Sequence, residues 1–90
     1  MSYRILLVCT GNTCRSSMAE ALLRKIISEA EDELGQVEVF SAGLTATEGA
    51  PAAPHAIKAM QERGIDLTGH SATRVTEELI RDADLILTMT

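Results

Sequence analysis

Residues 5–16 read Ile-Leu-Leu-Val-Cys-Thr-Gly-Asn-Thr-Cys-Arg-Ser, and this stretch decides the fold. Its first four residues form a short, continuous apolar run, which is typical of a strand buried on both faces in a parallel sheet. Gly11 and Asn12 then interrupt the run. From Ser17 onwards apolar side chains return every three or four residues, and this spacing predicts an amphipathic helix that contains Met18, Leu22, Leu23, Ile26, Ile27 and Ala30.

The two ends of this first helix carry signals of their own. Ser17 and Glu20 have the spacing of a capping box, in which the two side chains bond backbone N–H groups at the start of a helix. The acidic residues within 29–33 are expected to form the solvated end of the helix, and Gly35 is expected to stop it.

The rest of the chain continues to alternate between strand and helix. Apolar and polar side chains alternate over residues 37–40, which predicts a second strand. A second helix is expected from Pro54, with Gly64 at its end. A third helix is expected over 76–83 and a third strand over 84–89. This order predicts an α/β fold with a parallel sheet and right-handed βαβ crossovers. Because no repeat or linker divides them, residues 1–90 are interpreted as one domain, the front part of a doubly wound fold.

The loop after the first strand is the candidate site of chemistry. Ligands of open α/β sheets bind at the carboxyl ends of the strands. Backbone N–H groups at the start of the following helix are unpaired and lie at the positive end of the helix dipole, so they suit a phosphate. Gly11 is expected to allow the backbone angles that turn these amides inward. We therefore predict a phosphate-binding loop made of Thr10, Gly11, Asn12, Thr13, Cys14 and Arg15.

Three side chains of this loop have the chemistry of a phosphoryl-transfer site. Cys9 would lie at the base of the loop, and a cysteine near a helix N-terminus and a cation has a lowered pKa and is a good nucleophile. Arg15 supplies the cation, and its planar guanidinium can hold two phosphate oxygens. The Ser16 hydroxyl can donate a hydrogen bond to the sulfur. We therefore predict that Cys9, Arg15 and Ser16 are catalytic, and that the loop N–H groups stabilise the transition state.

At this point the sequence resembles a known family. Residues 9–16, followed by Met18-Ala19-Glu20, look like the signature of low-molecular-weight protein tyrosine phosphatases, and the resemblance extends through Ser41-Ala42-Gly43, Pro54-His55-Ala56, His70-Ser71 and the last strand. It implies a three-layer, flavodoxin-like topology and a cysteinyl-phosphate mechanism that needs no cofactor and no metal. It also implies that Asn12 shapes the loop with support from Ser41 and His70, and that Cys14 forms a reversible disulfide with Cys9.

The sequence departs from the family pattern at two places. Ser17 stands where the family usually has proline. The family's general acid is an aspartate, usually followed by proline, beyond the third strand, and no Asp-Pro pair occurs in the 90 residues. We therefore expect an incomplete domain, with the C-terminal part of the fold missing and no general acid in this chain.

The expected function is that of a phosphoprotein phosphatase, with phosphotyrosine as substrate and phosphoarginine as the alternative. Thr13 stands where many eukaryotic relatives have isoleucine, and in this it resembles bacterial members that prefer phosphoarginine. A phosphate-binding module with little turnover is the alternative from another class, and arsenate reduction is a minor one, because its additional cysteines are absent.

Composition narrows the partners and the compartment. The net charge of −5 argues against a nucleic-acid binder and against binding to anionic membranes. The expected phosphatase function implies a phosphorylated protein and inorganic phosphate as partners. Two cysteines are too few for a disulfide framework, and no signal peptide is evident, so a cytoplasmic protein is expected. The spacing of Cys9, Cys14, His55 and His70 fits no standard zinc pattern. His55 is interpreted as a structural residue at a helix start, and Arg24 has no assigned role.

Overall fold

A computed structural model of the protein describes residues 2–30 and 36–89. Its centre is a three-stranded parallel sheet in the order β2-β1-β3, formed by β1 (Tyr3–Cys9), β2 (Val37–Gly43) and β3 (Leu85–Thr88). All three predicted strands are present, and β2 continues three residues beyond its predicted end. β1 is central because its side chains from Leu6 to Cys9 are apolar on both faces, and all four are buried.

Three helices join the strands. They are α1 (Arg15–Glu29), α2 (Pro54–Gln61) and α3 (Glu77–Asp82). Pro54 occupies the first turn of α2 as predicted, and Gly64 follows that helix with a φ of 74°. The predicted third helix is shorter than expected, because the Thr76 side chain caps it by accepting a hydrogen bond from the backbone N–H of Leu79 at 3.1 Å.

The start of α1 differs from the prediction. The helix begins at Arg15, two residues before Ser17, and the side chains of Ser17 and Glu20 do not form a capping box. Ser17 instead donates to the carbonyl of Cys14 at 2.9 Å, and Glu20 bonds Ser41 and Arg24. The predicted stop at Gly35, and the acidic residues 31–33, lie outside the described residues.

The sheet is covered on both faces at β1 and β2, which gives the expected three layers of an α/β fold, whereas every residue of β3 is exposed. On one face α1 packs with α2 around a cluster that contains Ala52, Ala56, Met60 and Leu67. On the other face α3 packs against Leu6, Val8 and Ala42. No helix in residues 2–30 and 36–89 is long and apolar enough to cross a membrane.

Candidate active site

The site lies where the carboxyl ends of the strands meet. Cys9, the last residue of β1, pairs with Gly43 of β2. Backbone pairing continues beyond the strands, because the N–H of Leu44 donates to the Cys9 carbonyl and the N–H of Thr45 donates to the Thr10 carbonyl, both at 2.9 Å. A Cβ on Gly43 would lie 2.7 Å from the Thr10 carbonyl oxygen, closer than such atoms approach in proteins. Only glycine therefore lets β2 run this close to the loop. Sequence reasoning assigned no role to Gly43, although a glycine at the end of a strand is a signal of close backbone approach.

The Cys9 thiol is surrounded by hydrogen-bond donors. Its sulfur lies 2.8 Å from the Ser16 hydroxyl, and the backbone N–H of Asn12 donates to it at 3.2 Å. Burial of the sulfur has the largest single influence on the pKa of Cys9, and by itself it would raise that pKa. The Ser16 hydroxyl and the backbone N–H groups of Ser16, Asn12 and Gly11 oppose it, and together they bring the pKa of Cys9 below its ordinary value. The site therefore favours the thiolate, which is the nucleophilic form.

Asn12 is the buried residue around which the loop turns. It has a φ of 59°, in the left-handed region that asparagine tolerates better than most residues. Gly11 does not have a positive φ, although its backbone N–H is directed at the Cys9 sulfur, so the left-handed residue of the loop is its neighbour Asn12. The side-chain amide of Asn12 donates to both Ser16 and Ser41 at 2.8 Å, and its oxygen accepts from the backbone N–H of Thr73 at 2.8 Å. This one side chain therefore ties the loop to α1, to β2 and to the segment before α3.

His70 supports the same turn from another direction. Its Nε2 lies 2.6 Å from the carbonyl oxygen of Asn12, and because a carbonyl only accepts, Nε2 carries the proton and donates. The structure thus brings Ser41 and His70 onto Asn12, as the resemblance implied. Sequence reasoning missed Glu20, which accepts a hydrogen bond from Ser41.

Arg15 lies at the first position of α1 and its side chain is exposed. Its Nη1 donates to the backbone carbonyl of Met89 at 3.2 Å, just after the end of β3. The guanidinium therefore lies near the carboxyl ends of the strands, where β1, β2 and β3 end at Cys9, Gly43 and Thr88. Its remaining N–H groups can bind an anion on the loop.

The second cysteine has a partner that the sequence did not predict. The Cys14 sulfur lies 2.8 Å from Nε2 of His55, so His55 contacts the loop as well as starting α2. The neighbouring Thr13 is partly exposed, and its backbone carbonyl accepts a hydrogen bond from the backbone N–H of Ala53 at 2.8 Å. Cys9 and Cys14 are both free thiols. Within residues 2–30 and 36–89, no three His, Cys, Asp or Glu side chains come together as metal ligands would.

The chain is similar to a group of known phosphatases. The family model described as low molecular weight phosphotyrosine protein phosphatase matches residues 4–90. The chain is 51% identical to the protein-arginine-phosphatase of Bacillus subtilis over 96% of this chain and 55% of that protein. It is 44% identical to the low molecular weight protein-tyrosine-phosphatase Wzb of Escherichia coli K12, over 99% of this chain and 56% of that protein. Arsenate reductases also occur among its relatives, at 38% and 39% identity.

The solved structures lead to the same group of proteins. The YwlE arginine phosphatase, solved as a cysteine-to-serine mutant with a phosphorylated active-site serine, is similar with a TM-score of 0.88 and 45% identity, over 97% of this chain and 55% of that one. The chain therefore spans about half the length of the curated relatives and solved structures that it matches.

Proposed function

This chain belongs to the low molecular weight phosphotyrosine protein phosphatase family, and from that premise we propose that it hydrolyses phosphorylated protein side chains through a cysteinyl-phosphate on Cys9. The observation that carries the proposal is the Cys9 sulfur, which lies 2.8 Å from the Ser16 hydroxyl and 3.2 Å from a backbone N–H, at the base of a strand-to-helix loop. A thiol with a lowered pKa beside a phosphate-binding loop is the arrangement that nucleophilic phosphoryl transfer requires.

The proposed reaction has two steps. In the first, the Cys9 thiolate attacks phosphorus, the S–P bond forms, and the bond from phosphorus to the leaving group breaks. In the second, water attacks the phosphorus, the S–P bond breaks, and inorganic phosphate and the thiolate are released. The loop N–H groups and the Arg15 guanidinium hold the phosphoryl oxygens throughout, and the Ser16 hydroxyl stabilises the sulfur when it leaves. No Asp-Pro pair occurs in the sequence, so we assign the general acid to none of these residues.

A pre-steady-state burst tests the proposal. With p-nitrophenyl phosphate, whose leaving group needs little protonation, the protein should release one equivalent of p-nitrophenol rapidly and carry phosphate on the Cys9 peptide in a mass spectrum. Cys9→Ala, which has no nucleophilic atom at this position, should show neither. A protein that binds inorganic phosphate without a Cys9-dependent burst would instead be a phosphate-binding module, the alternative from another class.

Phosphoarginine is a second candidate substrate beside phosphotyrosine, and two observations favour it. One relative with 51% identity is a protein-arginine-phosphatase. Thr13, on the rim of the loop, is a polar β-branched residue, which can orient the attacking water, whereas a larger apolar residue would crowd a flat guanidinium and favour a phenyl ring. Phosphorylated proteins and inorganic phosphate are then the partners. The acidic charge argues against nucleic acid and anionic membranes as partners, and two free thiols suit the cytoplasm.

Substitution of Thr13 separates the two substrates. Thr13→Ile should lower the rate with a phosphoarginine peptide relative to the rate with a phosphotyrosine peptide by about tenfold, because one misfitted group in a pocket typically changes the preference by that order. The same substitution at exposed Thr68, whose side chain bonds Asp66, is the matched control. An unchanged ratio in Thr13→Ile would remove the support that Thr13 lends to phosphoarginine.

A further inference from the structure

The phosphate-binding loop is held by two different parts of the fold. Its inner part, Thr10 and Asn12, is bonded by residues at the end of β2 and before α3. Its outer part, Thr13 and Cys14, which we call the rim, is bonded instead by residues at the start of α2. No step of the proposed reaction uses this second support.

Two contacts on successive residues join the rim to the start of α2. The backbone N–H of Ala53 donates to the Thr13 carbonyl at 2.8 Å. The Cys14 sulfur lies 2.8 Å from Nε2 of His55, which follows two residues later. Because both contacts come from one short stretch of the chain, they fix the rim at two neighbouring points.

The start of α2 is itself fixed by the core. Ala52 and Ala56, which flank the two contacts, are 4% and 0% exposed, and Met60, one turn further on, is 3% exposed. The Cys14 side chain packs against this same cluster. A close-packed element yields little, so a group bound to it keeps its position. His55 is exposed, so its contact with Cys14 can be removed without opening a cavity in the core.

Thr13 is the rim residue whose side chain is available to a substrate. It is partly exposed, and its Oγ1 faces Gly11 across the loop, since a Cβ at Gly11 would lie 3.7 Å from it. The backbone carbonyl of Thr13 is the group that Ala53 holds. The position of the Thr13 hydroxyl therefore depends on the start of α2.

Phosphoarginine and phosphotyrosine differ at the atom that joins phosphorus to the side chain. In phosphoarginine this atom is a nitrogen that carries a hydrogen, and in phosphotyrosine it is the phenolic oxygen, which carries none. A hydroxyl oxygen on the rim can accept a hydrogen bond from the first and not from the second. Hydrogen bonds weaken steeply when their geometry is poor, so this discrimination requires a fixed hydroxyl.

We propose that His55 is a positioning residue for Thr13, and that the start of α2 thereby raises the affinity of the loop for phosphoarginine relative to phosphotyrosine. The inference rests on the proposed function, in which the phosphoryl group of a protein side chain binds the loop. His55 holds Cys14 while the Ala53 N–H holds Thr13, so the two contacts act on the same short stretch of backbone. Loss of either contact lets the rim move away from the substrate.

The binding of two peptides tests the inference without turnover. The peptides share one sequence and carry either phosphoarginine or phosphotyrosine, and their Kd values are measured by calorimetry in the Cys9→Ala protein, which has no nucleophile. When His55→Ala is added, the Kd for the phosphoarginine peptide should rise about three- to tenfold relative to that for the phosphotyrosine peptide, as expected for one misplaced hydrogen bond. The Kd for inorganic phosphate should be unchanged, because the inner part of the loop is held by other residues.

Three further variants in the same protein separate positioning from a general loss of structure. Lys58→Ala, the same truncation at an exposed position one turn further along α2, is the matched control and should leave both Kd values unchanged. His55→Gln should retain the preference, because its amide can offer Cys14 either an N–H or an oxygen. Ala53 has a φ of −62°, which proline also adopts, so Ala53→Pro removes the N–H that donates to Thr13 and should shift the preference in the same direction as His55→Ala.

A double variant shows whether His55 acts through Thr13. Thr13→Val keeps the shape of the side chain and removes the hydroxyl, so His55→Ala should have no further effect on the preference in its presence. The inference is overturned if His55→Ala or Ala53→Pro leaves the preference as Lys58→Ala does, if His55→Ala weakens both peptides equally, if its effect persists with Thr13→Val, or if the Cys9→Ala protein binds neither peptide. Because binding is measured without turnover, a wild-type protein that shows no burst with p-nitrophenyl phosphate would refute the proposed function and leave a shifted preference intact.

Discussion

Replacement of Gly43 by alanine is the sharpest test of how the loop is held. Gly43 does not have a positive φ, so alanine can adopt its backbone conformation. The obstacle is space, because an added Cβ would lie 2.7 Å from the Thr10 oxygen and 2.9 Å from the Asn12 nitrogen and the Gly11 carbonyl carbon. All three are backbone atoms of the loop, and none can be relieved by a change of rotamer.

The size of the effect follows from these distances. An ordinary contact for a Cβ begins at about 3.4 Å, so the loop must retreat from β2 by about 0.7 Å. The Asn12 N–H that donates to the Cys9 sulfur belongs to the segment that has to move. Because a misplacement of about 1 Å at a catalytic group can cost a factor of about 10², we expect kcat/KM to fall about 10- to 100-fold. Forced contacts of this kind also destabilise a protein by about 1–3 kcal/mol.

The assay is kcat/KM with p-nitrophenyl phosphate, with the melting temperature measured in parallel so that both variants are compared well below it. Gly69→Ala is the matched control, because nothing lies within 4 Å of a Cβ at that position and its φ is not positive. It should retain its activity within about twofold and be slightly more stable, as alanine restricts the unfolded chain. A Gly43→Ala protein with the activity and melting temperature of Gly69→Ala would refute the steric reasoning.

Two further predictions concern the cysteines. Since the pKa of Cys9 is lowered, kcat/KM should rise with pH through that pKa and reach its plateau at a pH below the ordinary pKa of 9.0. Ser16→Ala removes one of the hydrogen bonds that lower the pKa, so its pH–rate profile should shift to higher pH, and kcat/KM should fall most at acidic pH. Brief treatment with hydrogen peroxide should form a disulfide between Cys9 and Cys14, as the family resemblance implies, and dithiothreitol should then restore activity. In Cys14→Ser the Cys9 sulfur should instead oxidise to the sulfinic or sulfonic acid, and dithiothreitol should not restore activity. Peptide mass spectrometry distinguishes the two oxidation products, and equal recovery in both proteins would contradict the pairing.

The strand, the loop and the first helix could be read from the sequence because their signals are local. A continuous apolar run predicts a buried strand, and β1 is the buried central strand of the sheet. The local signal for the start of this helix was misleading: Ser17 and Glu20 have the spacing of a cap, yet the helix begins at Arg15 and Glu20 bonds Ser41 of β2. Similarly, Gly11 was expected to turn the loop, but the contacts that fix Asn12 place the left-handed conformation there.

What the sequence by itself determined is the set of candidate groups and their order: a cysteine at the end of a strand, a loop with N–H groups, and an arginine at the start of the following helix. Only the tertiary structure decided what holds these groups in place. Ser41 and His70 reach Asn12 across 29 and 58 residues, Glu20 reaches Ser41 across the gap between α1 and β2, and Gly43 sets the distance from β2 to the loop. Such contacts leave no periodic trace in the chain, because they depend on which strand ends and loops the packed sheet brings side by side.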